Sequence, residues 1–336
     1  MARGKKIVGI VFSTIVAVVV MGISFTIGWR PFIGPKGRPL TARTFERTAE
    51  RLERGKYLVE GVLGCFDCHS ERDWNQPGAP VIEAQRGGGA LFAGGPPGRL
   101  IASNISPDPE TGAGTWSDDA FARAIREGIG HDGRALFPIM PWPNYAQMSD
   151  EDLAAVIAYV RSTPPVPNAL PKTQLDFPVN YLMRINPEPI AAPVPAPDLS
   201  DPVKRGAHLA RMGSCADCHT PQDQGQPKPG LDFAGGFILI EPSGEVASAN
   251  ITPDPSGISY YDEALFIEAI RTGQVKARKL RPRMPWLIYR NMSDEDLKAI
   301  FAYLRTLKPV KHAVDNAEPP TQCKLCGSMH GFGDRN

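Results

Sequence analysis

An internal repeat is the feature of this 336-residue chain that most restricts its fold. Four short segments of the first half recur in the second half, in the same order and at similar spacing. The matched pairs are CFDCH at 65–69 with CADCH at 215–219, NISPDP at 104–109 with NITPDP at 250–255, PIMPW at 138–142 with PRMPW at 282–286, and SDEDL at 149–153 with SDEDL at 293–297. Such a repeat predicts two copies of one domain, each with the same chemistry.

The rest of the chain is divided around these two copies. Its 33 glycines and 34 prolines favour short helices joined by stiff loops, so we expect a mainly α fold. One helix should begin near Ser117, and another at Ser149, whose side chain can accept a hydrogen bond from the Asp152 amide as an N-cap. The predicted parts are an N-terminal segment 1–30, a first domain 45–163, a proline-rich linker 164–202, a second domain 203–310 and a tail 311–336.

The N-terminal stretch 7–29 is almost entirely apolar and carries no charge. It is long enough to cross a hydrocarbon core, which needs about 20 residues. Basic residues precede it, as expected for a segment that starts on the cytoplasmic side. A cleaved signal peptide is the alternative, but its apolar region is shorter and ends in a small-x-small site, whereas this stretch ends in GWRP. We therefore expect a single, uncleaved transmembrane helix.

The sequence Cys-x-x-Cys-His in each repeat is the attachment signature of c-type haem. Cysteines three residues apart share one face of a helical turn with the histidine that follows. Two thioether bonds can then hold the porphyrin edge while the imidazole reaches the iron. The predicted ligands are Cys65, Cys68 and His69 in the first repeat, and Cys215, Cys218 and His219 in the second. A redox disulfide or half of a zinc site is the alternative, but neither repeat has further zinc ligands nearby at finger-like spacing.

A methionine in each repeat is predicted to be the second axial ligand of the iron. Met140 and Met284 each lie in a P-x-M-P-W segment, where the flanking prolines restrict the backbone. Packing of the sulfur against tryptophan is the alternative role, but it leaves the sixth coordination position unfilled. Met148 and Met292 are less suited, because each immediately precedes a helix N-cap and has the spacing of a hydrophobic staple.

On these motifs, each repeat resembles a class I cytochrome c domain. The segments NISPDPETG, WSDDAF, MPW and SDEDL resemble the cytochrome c subunits of bacterial membrane-bound alcohol, gluconate and aldehyde dehydrogenases. The resemblance implies a mainly α fold of two tandem cytochrome c-like domains behind one N-terminal transmembrane helix. It also implies two covalently bound haem c groups and soluble domains on the periplasmic side of the bacterial inner membrane.

The function implied by the resemblance is electron relay between a dehydrogenase or respiratory complex and a downstream acceptor. The chain would then be an electron-transfer subunit of an oxidoreductase complex, with protein redox partners and no small-molecule substrate of its own. The formal net charge of +1 gives no indication of nucleic-acid binding.

Two other functions remain open at this point. A di-haem enzyme of the peroxidase or thiosulfate-oxidising type would generally need an open or unusual coordination position. The matching P-x-M-P-W segments argue against it, because they predict two filled positions. An anchoring or assembly subunit is the other interpretation, favoured by the apolar N-terminus and by the tail.

The tail carries a third cysteine pair, Cys323 and Cys326, which is followed by Gly327 instead of histidine. The best-known members of the resembling family carry three haems, so this difference argues against a third haem here. A small disulfide, a metal site that uses His330 with a ligand from elsewhere, and the remnant of a lost haem domain all fit the sequence. His312 has no counterpart in the first repeat and is expected to be a surface or packing residue.

Overall fold

The structure, a computed structural model, describes residues 2–336, so only Met1 of the predicted segment 1–30 lies outside it. The α-helices are α1 (Ala2–Phe25), α2 (Arg30–Ile33), α3 (Ala49–Tyr57), α4 (Cys65–Cys68), α5 (Asp118–Glu127), α6 (Trp142–Tyr145), α7 (Asp150–Val160), α8 (Val179–Leu182), α9 (Pro202–Met212), α10 (Cys215–His219), α11 (Glu263–Thr272), α12 (Trp286–Tyr289) and α13 (Asp294–Thr306). A π-helical turn (Leu58–Val62) continues α3.

The strands are short and antiparallel. They are β1 (Ala90–Ala93), β2 (Gly98–Ala102), β3 (Gln174–Leu175), β4 (Gln222–Asp223), β5 (Gln226–Pro227), β6 (Ile238–Glu241), β7 (Gly244–Ala247), β8 (Gln274–Val275), β9 (Arg278–Lys279), β10 (Pro320–Gln322) and β11 (Met329–Gly331). The first three form one sheet in the order β1-β2-β3, and the others pair as successive hairpins. The helix-rich architecture agrees with the fold class expected from the sequence.

In each repeat, the first and last helices cross at a glycine. Gly55 of α3 lies so close to α7 that a Cβ atom there would be 2.0 Å from the carbonyl oxygen of Ala155. Gly206 of α9 stands in the same relation to α13, where the carbonyl oxygen of Ala299 would be 1.9 Å away. Any side chain would force the two backbones apart, so both helix pairs depend on glycine at the crossing.

The helix starts expected from the sequence are confirmed. The hydroxyl of Ser149 accepts a hydrogen bond of 3.1 Å from the amide of Asp152. Ser293 and Asp296 repeat this contact at 3.1 Å. The helix expected near Ser117 begins at its neighbour, with Ser117 as the N-cap.

The proline-rich segment 164–202 packs along the first repeat instead of running free between the two repeats. Its strand β3 joins the β1–β2 hairpin as a third strand. The side-chain amide of Asn104 donates a hydrogen bond of 2.8 Å to the carbonyl of Val166, and the Asp150 amide donates one of 2.9 Å to the carbonyl of Val194. The segment follows the first repeat because the repeat supplies partners for its backbone.

Helix α1 contains the apolar stretch of the N-terminus. Residues Lys5–Phe25 form 21 helical residues with a mean hydropathy of 2.6, and none of this stretch is buried against the rest of the chain. Length and composition are sufficient for this helix to cross a membrane, and a signal sequence has the same properties.

The segment 38–41, which we call the collar, ties the end of the N-terminal region to the first repeat. Arg38 donates two hydrogen bonds of 2.7 Å to Asp119 and one of 2.9 Å to Glu127. The amide of Thr41 donates a further hydrogen bond of 2.7 Å to Asp119. Only 1% of the Asp119 side chain and 2% of the Glu127 side chain are exposed, so the ion pairs are shielded from solvent.

Acid should weaken the collar. Burial alone would raise the pKa of Asp119, but the hydrogen bonds from Arg38 and Thr41 prevail and lower it from 3.8 to about 2. Since the folded-state pKa lies below the unfolded value, this carboxylate stabilises the fold above about pH 4, and the contribution is lost as the pH falls towards about 2. Denaturant titrations at about pH 7 and about pH 3 should therefore show a smaller pH dependence of the unfolding free energy in Asp119→Asn than in the wild type.

The exposed Glu110 provides the matched control for this measurement. Glu110→Gln removes a carboxylate that, within residues 2–336, makes no ion pair to the collar, so it should retain the wild-type pH dependence. An Asp119→Asn protein with that same wild-type dependence would show that the collar does not sense acid through this group.

Candidate haem-binding sites

The two Cys-x-x-Cys-His segments form single helical turns, α4 and α10, which we call the attachment turns. Each turn follows a residue in the left-handed region, Gly64 with φ 62° and Ser214 with φ 56°. The two cysteines of each turn are free thiols and half-buried. One turn of helix thus brings two thiols and the adjoining histidine to the same side of each repeat.

The two histidines are oriented by backbone carbonyl groups. Nδ1 of His69 lies 2.7 Å from the carbonyl oxygen of Ser103, and Nδ1 of His219 lies 2.7 Å from that of Ala249. Donation of the Nδ1 proton to a carbonyl leaves Nε2 free to bind a metal. Burial lowers the pKa of both imidazoles, which favours the neutral form that a metal requires.

The thiols are in surroundings that keep them protonated. Burial raises the pKa of Cys65, Cys68 and Cys215 to about 12 and that of Cys218 to about 11. A redox-active Cys-x-x-Cys pair instead has a lowered thiol pKa, because the thiolate is the attacking species. The raised pKa values therefore argue against thiol–disulfide exchange at these sites.

The two P-x-M-P-W segments adopt the same turn. The amide of Trp142 donates to the carbonyl of Met140 at 2.7 Å, and the amide of Trp286 donates to that of Met284 at 2.8 Å. Trp142 packs on the glycine that ends α5, Gly128, where a Cβ atom would be 2.4 Å from the indole ring. This contact fixes the tryptophan, and with it the position of the preceding methionine.

The methionines fall into two classes by burial. Met148 and Met292 are 2% and 3% exposed, within the hydrophobic core, as a staple residue should be. Met140 and Met284 lie at the edge of that core and are only partly buried, like the first cysteine of each attachment turn. The second pair is therefore better placed to face a bound group.

Each attachment turn, or the chain that follows it, contacts the P-x-M-P-W region of the other repeat or the short helix that this region begins. Asn144 of α6 donates a hydrogen bond of 2.9 Å to Asp217, which lies between the two cysteines of α10. In the reverse direction, Arg72 donates to the carbonyl of Pro282 at 2.9 Å and to Asp67, within α4, at 3.0 Å. One hydrophobic cluster contains core residues of both repeats. The two candidate sites therefore belong to one packed unit, which their local motifs did not reveal.

The third cysteine pair is not joined as a disulfide. Cys323 and Cys326 are free, buried thiols, and each sulfur faces a histidine nitrogen instead. Sγ of Cys323 lies 3.4 Å from Nε2 of His312, and Sγ of Cys326 lies 3.3 Å from Nε2 of His330. His312 is fully buried, so of the two positions expected for it, surface or packing, the structure agrees with the second. Its long and irregular separation from the cysteines gave no signal in the sequence.

Comparisons with known proteins agree with the duplicated sites. The profile of the cytochrome c family matches residues 52–164 and 203–308. A nicotinate dehydrogenase subunit of Pseudomonas putida is 32% identical over 87% of this chain and 24% of its own length. The gluconate 2-dehydrogenase cytochrome c subunit of Pantoea cypripedii is 31% identical over 76% of this chain and 59% of its own. A diheme cytochrome c-type protein of Cereibacter sphaeroides is 29% identical over 74% of this chain and 83% of its own.

This chain spans about a quarter of the length of the first relative and about three fifths of the second. Both relatives therefore contain segments that this chain does not match, and their activities can depend on those segments.

Removing Arg72 should loosen the contact between the repeats. Its side chain is 7% exposed and bridges the Asp67 carboxylate and the Pro282 carbonyl. In Arg72→Ala, Asp67 loses its buried partner, and breaking such a pair costs about 3–5 kcal/mol. We expect guanidinium titrations followed by circular dichroism to show a loss of this order and two separated transitions. Arg99→Ala, at an exposed position of β2, should match the wild type, and a single unshifted transition in Arg72→Ala would contradict the bridging role.

Proposed function

The chain belongs to the cytochrome c family, and we infer from this premise that it is a membrane-anchored di-haem c-type cytochrome that relays electrons. The observation that carries the proposal is the duplicated attachment turn, with the same oriented histidine in both repeats. When bound, haem c supplies a one-electron iron couple. The chain itself supplies attachment, orientation and a packed environment.

The proposal assigns one haem to each repeat. The thiols would form the covalent links, and Nε2 of the histidine and the sulfur of the methionine would bind the iron. The assigned residues are Cys65, Cys68, His69 and Met140 for the first haem, and Cys215, Cys218, His219 and Met284 for the second. The equivalent methionine turns support two filled axial positions, which favours relay over catalysis at an open site.

The reciprocal packing of the repeats supports a relay within one unit. Asn144 and Asp217 connect one side of the contact, and Arg72 and Pro282 connect the other. A relay needs two redox centres at a short and fixed separation, and packed domains provide this better than domains on a flexible linker.

Two of the relatives support a dehydrogenase as the electron-donating partner. One relative is a dehydrogenase subunit and another is the cytochrome c subunit of a dehydrogenase. We infer that this chain is the electron-transfer subunit of such a complex, passing electrons to a respiratory acceptor. Its partners would be proteins, with no nucleic acid and no small-molecule substrate of its own.

The N-terminal helix supports a location at the bacterial inner membrane. Residues Lys5–Phe25 of α1 have the length and hydropathy of a membrane-spanning segment. With α1 as a single anchor, the two haem domains would lie on the periplasmic side, where the collar holds the first repeat to the chain that leaves the membrane.

The haem count tests the attachment sites directly. The intact mass of the denatured wild-type chain should equal the polypeptide plus two haems, because thioether bonds survive denaturation. The double variant with Cys65→Ser and Cys68→Ser should carry one haem, since only the second repeat can then attach the group. Cys323→Ser is the matched control and should keep two. A wild-type chain without covalent haem would overturn the proposed function.

The axial methionines can be tested by a volume-conserving substitution. Met140→Leu removes the sulfur but keeps the packing, so one of the two haems should become high-spin in the oxidised spectrum and its reduction potential should fall. Met148→Leu makes the same change at a core methionine and should leave both properties unchanged. If Met140→Leu has the wild-type spectrum, the assignment of this ligand is wrong. A high-spin haem in the wild-type resting state would instead favour an enzyme.

A further inference from the structure

The C-terminal tail contains a compact cluster of two thiols and two imidazoles. The four residues are His312, Cys323, Cys326 and His330, and their side-chain donor atoms all lie within 4.8 Å of one another. None of the four is more than 2% exposed. Two thiols and two imidazoles that converge in a buried position are the ligand set of a structural zinc site.

We propose that these four residues bind one Zn²⁺ ion in a tetrahedral site. Zinc binds sulfur at about 2.3 Å and nitrogen at about 2.0 Å, so neighbouring sulfur and nitrogen ligands of a tetrahedral ion lie about 3.5 Å apart. Two of the four sulfur–nitrogen pairs in the cluster are 3.4 Å and 3.3 Å apart. These two pairs are therefore at the separation that such an ion needs.

Both imidazoles are oriented as zinc ligands are. Nδ1 of His312 lies 2.8 Å from the carbonyl oxygen of Ala234, and Nδ1 of His330 lies 2.9 Å from that of Gly331. Donation to these carbonyls fixes each ring and leaves Nε2 directed at the sulfurs. A disulfide between the cysteines would leave these two buried nitrogens without a metal or proton donor.

A β-hairpin presents three of the four ligands. Strands β10 and β11 pair so that Thr321 lies opposite His330, and the connecting turn carries both cysteines. Gly327 permits this turn with a φ of 77° and donates its amide to the carbonyl of Cys323 at 2.9 Å. The amide of Ser328 points at Sγ of Cys326 at 3.4 Å, as suits a sulfur that carries negative charge.

The fourth ligand comes from a position that the first repeat fills with asparagine. The side-chain amide of Asn168 donates a hydrogen bond of 3.0 Å to the carbonyl of Gly88. Nδ1 of His312 makes the equivalent contact with the carbonyl of Ala234. The backbone amide of Asn168 donates a hydrogen bond of 2.9 Å to the hydroxyl of Thr111. The backbone amide of His312 donates one of the same length to the equivalent serine hydroxyl of the second repeat. His312 thus keeps the structural contact of Asn168 and adds a second nitrogen that faces the cysteines.

The zinc site would fasten the tail to the loop beneath the second haem ligand. His312 contacts the carbonyl of Ala234, and the next residue, Gly235, donates its amide to the carbonyl of His219 at 2.7 Å. The first repeat has the corresponding contact from Gly89 to His69 at 2.9 Å, whereas the tail hairpin follows the second repeat. The metal would therefore stabilise the second repeat selectively.

The test is the metal content of the purified full-length chain. Elemental analysis by mass spectrometry should find about one zinc per chain. The zinc X-ray absorption spectrum should fit two sulfurs at about 2.3 Å and two nitrogens at about 2.0 Å. The absorption edge of zinc is distinct from that of iron, so haem does not interfere. A chain without zinc, whose peptide map contains a disulfide between Cys323 and Cys326, would overturn the proposal.

The first repeat supplies the decisive variant. His312→Asn restores the side chain found at Asn168, so it should keep the contact to Ala234 and the fold while zinc is lost on dialysis against a chelator. His131→Asn, at an exposed histidine that stacks on Trp116, is the control and should retain zinc. Retention of zinc by His312→Asn with the wild-type absorption spectrum would contradict the ligand assignment.

Haem content is measured on the same samples and separates this proposal from the proposed function. His312→Asn should lose zinc and keep two haems. A wild-type chain with zinc but no covalent haem would overturn the proposed function alone, and a chain with two haems but no zinc would overturn the zinc site alone.

Discussion

The crossing of the first and last helices at a glycine is the contact on which each repeat depends. At Gly55 and Gly206 the backbone of one helix lies directly against a carbonyl of the other. The helices therefore make van der Waals contact through their main chains as well as through apolar side chains. The long segment between them can then be rich in glycine and proline, because it does not need a large sheet to support it. The attachment turns follow the first helix of each pair by only a few residues, so their position is fixed by the same crossing.

The packing of one repeat on the other extends this constraint from one site to two. Asp67 and Asp217 lie inside the attachment turns, yet their hydrogen-bonding partners contribute to the contact between repeats. Arg72 links Asp67 to the carbonyl of Pro282, next to the second methionine turn. The surroundings of the first attachment turn are therefore in direct contact with the methionine segment of the second repeat. The molecule is better described as one packed body with two candidate sites than as two independent domains.

The sequence could predict what depends on near neighbours. The attachment turns, the N-caps at Ser149 and Ser293 and the repeat itself involve residues a few positions apart, and each has a local physical cause. It could not predict that segment 164–202 packs on the first repeat, because those contacts join residues that are distant along the chain. A metal site of the cysteine pair with His330 was among the interpretations of the tail, but the place of His312 beside them was missed for the same reason. A hairpin register and a contact to Ala234 bring His312 to the cysteines, and neither leaves a pattern of spacing.

Asn168 and His312 show how little separates a structural position from that of the proposed zinc ligand. Both side chains satisfy the same kind of backbone carbonyl, so either residue is acceptable to the fold. Asparagine and histidine codons differ by a single base, which makes the exchange accessible in one mutational step. In a duplicated domain, one copy can therefore carry a purely structural asparagine while the other carries a ligand of the proposed zinc site. The two repeats differ here by one side chain and by the hairpin after the second repeat, which carries the other three proposed ligands.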